Sequence, residues 1–588
     1  MSHRFNFSGG FTPCLLVVAT VFLGAAPSAV AQVGSCIPAV GEAYLDVSNV
    51  RARILNNGSL FYRGEPHVYE VPKGGGATAI FNGGLWVGGL VDGELRVASS
   101  RYGPWEFWAG PLDDDGNPPD DCSIFDKIWT VNVSDVELYD EGNSPTLDLA
   151  GWPTGLGAPT VAPAADDGED NNGDGSVDEE GEVKEIHKDI LQQPLAERID
   201  RVIDLEAGER PAIIGDQMLW WIMNDRGNVH NHSDTPPIGL EVHGMAFALD
   251  QPGDIGNMTF YKANLYYKGS DPFEAAYVSL WSDPDLGDFL DDYVGSDTTL
   301  GMGFVYNADN FDGSAQGYGE APPALGYDLF QGPIVPSPGD TAYVSGDPVP
   351  DFRNLGMTSF MRVVRGTGPM SDPADGPHVY SFMQGLWRDS SAIQVYGEGH
   401  DEAGDPPETK YMFPGDPVSG QFWSEVNSDG QGTSIEPWDR RFVMSSGPFT
   451  MNPGDHQEIV YGIVWARGID NLDSITQLRS ADVLAQALAD ADFEIGDNVS
   501  TQELLPGKTR ARLFPNPVAE LLRIETVDGF RDGVEITVHD LLGRTVARES
   551  RGAHEGNVRL DVSLLPAGRY FVRLKAGRQT ETHLVVKR

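Results

Sequence analysis

An acidic segment at 170–180 carries the clearest arrangement of possible metal ligands in the chain. Its sequence, DNNGDGSVDEE, has oxygen-bearing side chains at the first, third, fifth and ninth places and glycine at the sixth. This spacing wraps a loop around a hard cation, because glycine allows the sharp turn and calcium prefers carboxylate and carbonyl oxygens. We therefore expect a structural calcium site. The expected ligands are the side chains of Asp170, Asn172, Asp174 and Asp178, the backbone carbonyl of Ser176, and either Glu179 or Glu180 to close the shell.

This segment resembles the calcium loops of EF-hands, dockerins and thrombospondin-type repeats. It departs from the EF-hand pattern at the twelfth place, where Gly181 stands instead of a bidentate glutamate, and no helix is predicted before it. The alternative interpretation is a solvated acidic linker, which the Pro-, Ala- and Gly-rich stretch at 159–168 favours. The sequence leaves both interpretations open.

A second acidic run lies at 283–297. Carboxylates so close together repel one another unless a cation or hydrogen-bond donors neutralise them. We take Asp283, Asp285, Asp288 and Asp292 as candidate ligands of a second calcium site. A solvated loop and a carboxylate-lined catalytic cleft of the glycosidase type are the alternatives.

A histidine-rich segment is the best candidate for transition-metal chemistry. His230 and His232 are two residues apart, which places both imidazoles on one face of an extended segment. Glu241 and His243 follow and complete a possible zinc-type shell. The alternative is a set of hydrogen-bonding surface histidines around the turn at 236–237.

The elements that must position these residues are mainly strands. Asp92-Gly93 between two apolar runs predicts a hairpin over 84–98, and 258–267, 276–281 and 459–466 are further expected strands. The 70 Gly and 41 Pro predict short elements, as in β-sandwiches. Helices are expected over 472–493, capped by Asp473 or Ser474, and over 183–205. The predicted fold is a mainly β, multi-domain body rich in β-sandwiches. Its expected parts are an N-terminal β-rich region at 32–160, a linker at 161–185, a main body at 186–496 and a second linker at 497–510.

The last segment, 511–588, differs from the rest of the chain in charge. It holds thirteen Lys and Arg against ten Asp and Glu, whereas the whole chain holds 40 against 88 and carries a net charge of -48. Five apolar runs in this segment alternate with the two-residue period of half-buried strands, separated by Pro-, Asn- and Gly-containing turns. The pattern predicts a separate small β-sandwich.

Four motifs in this segment resemble the C-terminal sorting domain of the type IX secretion system: FPNPV at 514–518, DLLGR at 540–544, LDVSLLPAGRYFVRL at 560–574 and VVK at 585–587. The resemblance implies an immunoglobulin-like sandwich that the outer-membrane secretion machinery recognises. It also implies cleavage of the domain and attachment to lipopolysaccharide or release. The alternative is an ordinary C-terminal β-domain. The residues that carry the resemblance are Pro515, Asn516, Pro517, Asp540, Gly543, Asp561, Gly568 and Tyr570.

The N-terminal 31 residues have the features of a signal peptide: an apolar stretch at 14–24 and the small-residue site Ala29-Val30-Ala31. A lipoprotein cleaved before Cys36 is the alternative. Beyond the signal peptide only Cys36 and Cys122 remain, and in an exported protein they can form one disulfide or stay as two buried thiols. No segment of the mature chain has the roughly twenty apolar residues of a membrane-spanning helix.

The net charge of -48 argues against nucleic acid and anionic membranes as partners, because phosphate binding needs clustered Lys and Arg. The body also resembles a group of large exported proteins with the same C-terminal domain, through segments such as 81–89, 106–113 and 254–261. That resemblance implies no biochemical role. We expect a calcium-stabilised structural or binding protein, delivered to the cell surface or the medium, that contacts a glycan or matrix ligand. A secreted metal- or carboxylate-dependent hydrolase is the alternative.

Overall fold

The computed structural model describes residues 34–164, 183–493 and 511–587, with gaps at 65, 67, 104, 315 and 405 and, in the last part, at 515–517, 519–520, 527–533, 540–544, 552–557, 567 and 577–578. The expected signal peptide at 1–31, the 170–180 loop and the linker at 497–510 lie outside the described residues. The flanks of the acidic loop are described and pair with each other, because Pro163 and Val183 are register partners in an antiparallel ladder.

The strands of the body include the short elements that the frequent glycines and prolines predict, but also long ones such as Arg440–Met451 with 12 residues. In chain order these are β1 (Glu42–Leu45), β2 (Arg51–Leu55), β3 (Ser59–Leu60), β4 (Tyr69–Glu70), β5 (Asn82–Val91), β6 (Glu94–Ser99), β7 (Trp108–Ala109), β8 (Trp129–Asn132), β9 (Thr160–Pro163), β10 (Val183–Glu185), β11 (Arg210–Pro211), β12 (Gln217–Asn224), β13 (Leu240–Ala248), β14 (Met258–Tyr267), β15 (Phe273–Asp283), β16 (Asp292–Asp297), β17 (Met302–Asn307), β18 (Phe311–Asp312), β19 (Gly319–Glu320), β20 (Ala324–Gln331), β21 (Ile334–Val344), β22 (Asp347–Asn354), β23 (Ser359–Val364), β24 (Ile393–Gln394), β25 (Glu408–Thr409), β26 (Arg440–Met451) and β27 (His456–Ala466).

Helices in the described residues are few and mostly short: α1 (Val133–Asp140), α2 (Leu147–Ala150), α3 (His187–Leu191), α4 (Leu195–Arg198), α5 (Gly376–Met383) and α6 (Asn471–Ala489). The predicted C-terminal helix of the body is α6, but its N-cap is Asp470, whose side chain accepts from the backbone of Asp473. The single helix predicted over 183–205 is wrong. That segment forms β10, α3 and α4, and Pro194 at the start of α4 prevents a continuous helix.

Two nine-stranded antiparallel sheets form the body. The first has the strand order β1-β2-β3-β5-β15-β26-β23, with β4 on β2 and β6 on β5. The second has the order β16-β17-β20-β27-β14-β13-β12-β7, with β8 on β12. Strand β5 pairs with β15 and β8 pairs with β12, so the ranges 32–160 and 186–496 contribute to the same sheets. They share one sandwich instead of forming separate units.

The inner faces of the sheets pack on each other. Tyr327 of the second sheet lies edge-on to Phe442 of the first, with ring centroids 5.3 Å apart. Between them the core is apolar and includes Leu280 and Ile459. The outer face of the second sheet carries α6, which packs on β27 and β20. This outer face has its own apolar core, and its central strands are therefore covered on both sides.

The predicted hairpin joins β5 to β6. Both Asp92 and Gly93 have positive φ, at 52° and 75°, which is the conformation that a two-residue hairpin turn requires. The expected strands over 258–267, 276–281 and 459–466 are confirmed within β14, β15 and β27. The fold class predicted from these patterns, mainly β with few helices, is confirmed.

The C-terminal segment is a small sandwich of two sheets. Its strands are β28 (Ala511–Phe514), β29 (Leu521–Thr526), β30 (Val534–His539), β31 (Thr545–Arg551), β32 (Val558–Asp561), β33 (Gly568–Ala576) and β34 (Gln579–Lys587). The sheet orders are β28-β29-β32 and β31-β30-β33-β34. Alternate apolar residues such as Leu522, Ile536 and Val572 fill its core, as the two-residue period predicts.

Candidate ligand cleft on the outer face of the second sheet

Three central strands of the second sheet place polar side chains on its outer face. Side chains alternate between the two faces of a strand, so every second residue of β13, β14 and β27 points to the side that carries α6. The register aligns these residues in rows: His243 faces Asn264, and Asn264 faces Glu458. The set that we call the polar half comprises Glu241 and His243 on β13, Lys262, Asn264 and Tyr266 on β14, and His456 and Glu458 on β27.

The same strands present an apolar surface further along the outer face. This apolar half is covered by α6, whose Leu478 is fully buried there. Its members on the three strands are Met245, Phe247, Met258, Phe260, Val460 and Val464. The division between the two halves runs across all three strands at the row that contains Met245, Lys262 and Val460.

Hydrogen bonds and ring contacts connect the members of the polar half. One carboxylate oxygen of Glu241 accepts from His243 Nε2 at 2.9 Å, and the other accepts from the backbone of Leu112 at 2.7 Å. The Tyr266 ring lies between two imidazoles, with its centroid 4.6 Å from that of His243 and 4.4 Å from that of His456. The interplanar angle with His456 is 2°, so these two rings are stacked.

His456 is a neutral imidazole in this arrangement. Burial, and then the charges of His243 and Lys188, lower the pKa of His456 to about 4. Nε2 of His456 and Oδ1 of Asn264 are 3.0 Å apart, and an amide oxygen only accepts, so Nε2 carries the hydrogen. The hydroxyl of Ser345 donates to the same amide oxygen at 3.4 Å. Asn264 is therefore held in one orientation from two sides.

Glu241 keeps a negative charge although only 2% of it is exposed. Burial acts to raise the pKa of Glu241, but the hydrogen bond and charge of His243, the charge of Lys268 and the Leu112 N–H outweigh it and lower the pKa below its ordinary value. The buried carboxylate and the imidazole thus stabilise each other next to the cleft.

Three members of the polar half, Lys262, Asn264 and Glu458, line a cleft of about 700 Å³, and the other four lie behind them. Its walls come from α3, from the segment 212–216, from the turn between β21 and β22 and from the residues that follow α6. This volume lies within the range of ligand sites in proteins. The lining residues used below are Glu185, His187, Lys188, Asp216, Lys262, Asn264, Glu458, Asp492 and Phe493.

Both lysines of the cleft are engaged by carboxylates. Lys188 contacts Glu185 at 2.8 Å and Asp347 at 3.0 Å, and Lys262 contacts Asp492 at 3.0 Å. These pairs leave the cleft without a free cation among the residues that line it. Glu458 accepts from the backbone of Ser345 at 2.9 Å and from Gln331 Nε2 at 2.8 Å, so it is a fixed hydrogen-bonding group.

The histidine-rich segment is split by the fold. His230 is buried, and its two ring nitrogens lie 2.7 Å from the backbone carbonyls of Val97 and Asp225, so neither nitrogen is available to a metal. His232 bonds to Ser99 through Nδ1. The zinc-type shell is therefore not formed, and of that group only Glu241 and His243 belong to the polar half.

Most of the polar half escaped the sequence analysis. The sequence predicts the strands 258–267 and 459–466 but does not by itself mark their polar residues as a site. The available signal was a polar residue at every second position of an otherwise apolar strand, as in Lys262, Asn264 and Tyr266. A strand that faces a cleft over part of its length has this alternation there, even when both of its faces are covered over the rest of its length.

The four aspartates proposed from the run at 283–297 do not form one shell. Asp283 and Asp285 lie with Asp439, with one oxygen of each within 4.8 Å of the others. Arg441 lies 3.3 Å from Asp283 and 3.1 Å from Asp439, and its single positive charge offsets part of the negative charge of this group. Asp288 and Asp292 lie in a different group of side chains, around β16 and β17. The other proposed calcium ligands, Asp170, Asn172, Asp174, Ser176, Asp178 and Glu180, are outside the described residues.

Cys36 and Cys122 form a disulfide with a Cα–Cα distance of 5.5 Å, packed against Trp108. In the C-terminal sandwich, Tyr570 donates a hydrogen bond from its hydroxyl to the backbone carbonyl of Pro566 at 2.9 Å. Asp561 accepts from the backbone of Ser563, and Gly568 begins β33. Pro515, Asn516, Pro517, Asp540 and Gly543 lie outside the described residues.

The hydroxyl-to-backbone bond of Tyr570 is of the tyrosine-corner kind that immunoglobulin-like sandwiches use. The family model of the secretion system C-terminal sorting domain matches residues 512–588. The chain ends in a type IX sorting domain. This domain is recognised by the type IX secretion machinery and directs the protein across the outer membrane to the cell surface or the extracellular space. Within the described residues, every helix is too short or too polar to cross a membrane.

The body has weak likenesses to solved structures. It is similar to a polysaccharide lyase at 8% identity and a TM-score of 0.19, over 59% of this chain and 34% of that chain. It is similar to the BSP domain of a biofilm-associated protein at 8% identity and a TM-score of 0.12, over 67% of this chain and 63% of that chain. The chain thus spans about a third of the lyase, and neither likeness carries an argument about function. No curated protein matches the sequence.

Proposed function

We propose that this exported protein is a non-catalytic surface or extracellular protein whose body binds a neutral glycan in the cleft beside the polar half. One observation carries the proposal. Seven polar side chains lie together on the outer face of three central strands, where apolar residues would pack against a cover, and three of them, Lys262, Asn264 and Glu458, line a cleft of about 700 Å³. Convergent polar groups in a large cleft are the mark of a binding site.

The charges of the cleft favour a neutral ligand over an acidic one. The carboxylates of Glu185, Asp216 and Glu458 line it, whereas Lys188 and Lys262 are held by carboxylate partners. The net charge of -48 would also repel a uronic or sulfated glycan, which is itself negatively charged. Sugar hydroxyls both donate and accept, so they match a wall of carboxylates and amides.

Ile213 and Ile214, which are partly exposed, add an apolar surface to this wall. A pyranose ring has a polar edge and an apolar face of C–H groups, and a lining of mixed character suits both. Calcium remains part of the proposal as the ion that stabilises the exported body.

A glycan array probed with the exported protein tests the proposal. The strongest neutral oligosaccharide is then titrated into the wild type, into Asn264→Ala and into Lys262→Met. We expect each substitution to raise the Kd at least about 10-fold, because loss of one or two fixed hydrogen bonds costs roughly 1.4 kcal/mol or more.

Lys127→Met is the matched control. Lys127 also pairs with a carboxylate, Asp148 at 2.7 Å, but it does not line the cleft. Its Kd should equal that of the wild type. An array without any bound neutral glycan, or cleft variants that bind like the wild type, would refute the assignment.

Hydrolysis of the bound glycan is the second candidate. His187 lines the cleft, and burial lowers the pKa of its imidazole, so the ring is a neutral proton acceptor at neutral pH. Glu458 supplies a carboxylate in the same wall. Incubation of the bound oligosaccharide with the protein and measurement of new reducing ends separates the two candidates, since a binding protein releases none.

A further inference from the structure

A hairpin between β20 and β23 lies outside both large sheets. We call it the arm; it comprises β21, β22 and the turn between them, residues 334–354. Its two strands pair with each other in a two-stranded sheet of their own. Ala342 is buried, but every other residue of the arm is half-buried or exposed. Little buried apolar surface therefore holds the arm in its position.

The arm is bent, and its turn reaches the cleft. The register shifts between the pair Pro336–Phe352 and the pair Thr341–Pro350, so that residues 337–340 face the single residue Asp351. Extra residues in one strand of a pair bend a hairpin at that point. The turn beyond the bend contributes Ser345 to the lining of the cleft.

The turn of the arm makes only polar contacts with the cleft. Ser345 and Gly346 form a two-residue turn, with φ of 51° and 80°. The Ser345 N–H donates to Glu458 at 2.9 Å, and the Ser345 hydroxyl donates to Oδ1 of Asn264 at 3.4 Å. The Ser345 carbonyl accepts from Lys188 Nζ at 2.8 Å, and Lys188 also pairs with Asp347 at 3.0 Å.

These contacts use the groups that the proposed ligand needs. Asn264 and Glu458 are two of the three members of the polar half that line the cleft. A sugar hydroxyl is a donor of the same kind as the Ser345 hydroxyl, and it would bond to the same amide and carboxylate oxygens. The turn of the arm therefore occupies the place of a ligand hydroxyl on both residues.

The base of the arm is attached more firmly than its turn. The backbone of Gly332 donates to the carbonyl of Leu355 at 2.9 Å, and the backbone of Leu355 donates to the carbonyl of Pro333 at 2.8 Å. The backbone of Ile334 donates to Oε1 of Gln457 at 2.8 Å. These bonds fix the base beside β27, so the turn can move while the base stays in place.

The attachment of the turn is weak. The side chain of Asp347 is 70% exposed, so its pair with Lys188 is a surface ion pair, which contributes little and is screened by salt. Water can replace the hydrogen bonds of Ser345 at a small net cost. Release of the turn therefore does not require unfolding of the sandwich.

We propose that the arm is a lid of the cleft, whose turn occupies Asn264 and Glu458 in the closed state and must move away before a glycan binds there. This proposal rests on the proposed function and adds how that site is regulated. Only the open fraction of the protein binds, so the apparent Kd equals the intrinsic Kd divided by the open fraction. Weakening of the Lys188–Asp347 pair should therefore strengthen binding.

Hydrogen exchange followed by mass spectrometry tests the opening without any glycan. In the exported protein, Asp347→Ala and Lys188→Met should each make peptides within 341–350 exchange about 3- to 10-fold faster, with no change in β27. The double variant should exchange no faster than Lys188→Met, because both substitutions break the same pair. Lys127→Met, which breaks a pair outside the cleft, should exchange as the wild type does. Unchanged exchange in both arm variants would overturn the proposal.

Glycan titration tests the regulation. Asp347 does not line the cleft, so Asp347→Ala leaves the lining residues in place. We expect Asp347→Ala to bind the strongest neutral oligosaccharide of the array with a Kd about 3- to 10-fold lower than that of the wild type. The wild-type Kd should also fall between about 0.05 M and about 0.5 M NaCl, whereas that of Asp347→Ala should change less.

A Kd of Asp347→Ala that equals or exceeds the wild-type value would overturn the proposal, because the turn would then be a fixed wall of the site. An array without a bound neutral glycan would refute the proposed function instead. The exchange measurement needs no glycan, and it would still decide whether the arm opens.

Discussion

The two halves of the outer face of the second sheet are built on the same strands but have different neighbours. The apolar half lies under α6 on β27 and under Phe493, whose ring packs on Phe247 and Phe260, whereas three residues of the polar half line a cleft. Apolar burial gains about 25 cal/mol per Å², but a hydrogen bond moved from water to protein gains only about 1 kcal/mol. The comparison teaches that the apolar half supplies stability, and that burial of apolar surface does not account for the polar half, which is where we propose the ligand binds.

The largest expected loss of stability comes from a substitution in the helix that covers the apolar half. Leu478→Ala removes a fully buried side chain of α6 and should lower the free energy of unfolding by about 2–5 kcal/mol. Urea titration measures the loss, and the folded variant should still bind the glycan with the wild-type Kd. Gln477→Ala, on the exposed side of the same helix, should change stability by less than about 0.5 kcal/mol. Equal losses for both variants would contradict the assignment of the apolar half.

The stability that the polar half contributes should decrease when the protein is titrated with acid. Because the folded-state pKa of His456 is about 4, below the unfolded value of 6.5, the folded state resists protonation. Stability should therefore fall as the pH falls from about 6.5 to about 4, by roughly 3 kcal/mol from this residue. The neighbouring charges that act on the pKa of His456 are those of His243 and Lys188, which lower it, and of Asp347, which raises it.

His456→Phe keeps a ring on Tyr266 and removes the titration. Urea unfolding at about pH 7.5 and about pH 4.5 should show a smaller acid loss for the variant than for the wild type. An identical acid loss in the two proteins would show that His456 is protonated freely in the fold.

One carboxyl pair inside the apolar half should respond in the opposite sense. Asp482 on α6 and Asp328 on β20 are both buried, and burial raises the pKa of Asp482 to about 8. A raised folded pKa favours the protonated form, so stability should fall as the pH rises from about 4 to about 8. Asp297, which pairs with Arg479 at 3.0 Å, adds to the shift.

Asp482→Asn should remove this loss. Its free energy of unfolding at about pH 9 should exceed that of the wild type, by on the order of 2 kcal/mol, with near equality at about pH 5. Thermal or urea unfolding across this range makes the measurement. A variant that is less stable than the wild type at the higher pH would show that the pair is ionised and satisfied.

The smallest stability effect is expected in the polar half. Asn264→Ala removes the hydrogen bonds from His456 and Ser345 and should cost only about 1 kcal/mol. Denaturant titration at neutral pH checks this. A loss of unfolding free energy as large as that of Leu478→Ala would mean that the polar half stabilises the fold as much as the apolar half does, and would contradict the comparison.

The sequence predicted what is local and missed what depends on distant pairing. The Asp92-Gly93 hairpin, the helix at 471–489 and the strands of the sorting domain follow from turn residues and periodicity. The pairing of β5 with β15, almost two hundred residues apart, has no local signal. The acidic run at 283–297 does not form one site for the same reason. Asp283 pairs with Arg441, a partner that is distant in sequence and has no local signal.

The sequence predicted only part of the candidate site, because most of its members are brought together by distant pairing. The sequence indicates Glu241 and His243 through two other histidines that lie near them along the chain, but the fold places those histidines elsewhere. Their true neighbours, Tyr266 and His456, come from two other strands. Only the alternation within β14 pointed to a polar row.

The central claim is that the polar half serves a ligand. The most direct test is a calorimetric titration of the best neutral oligosaccharide into four proteins: the wild type, Lys262→Met, Asn264→Ala and Leu478→Ala. The account predicts that the two substitutions beside the cleft raise the Kd at least about 10-fold at nearly unchanged stability. It predicts the reverse for Leu478→Ala, with a lower free energy of unfolding and an unchanged Kd. Equal Kd values for all four proteins would contradict it.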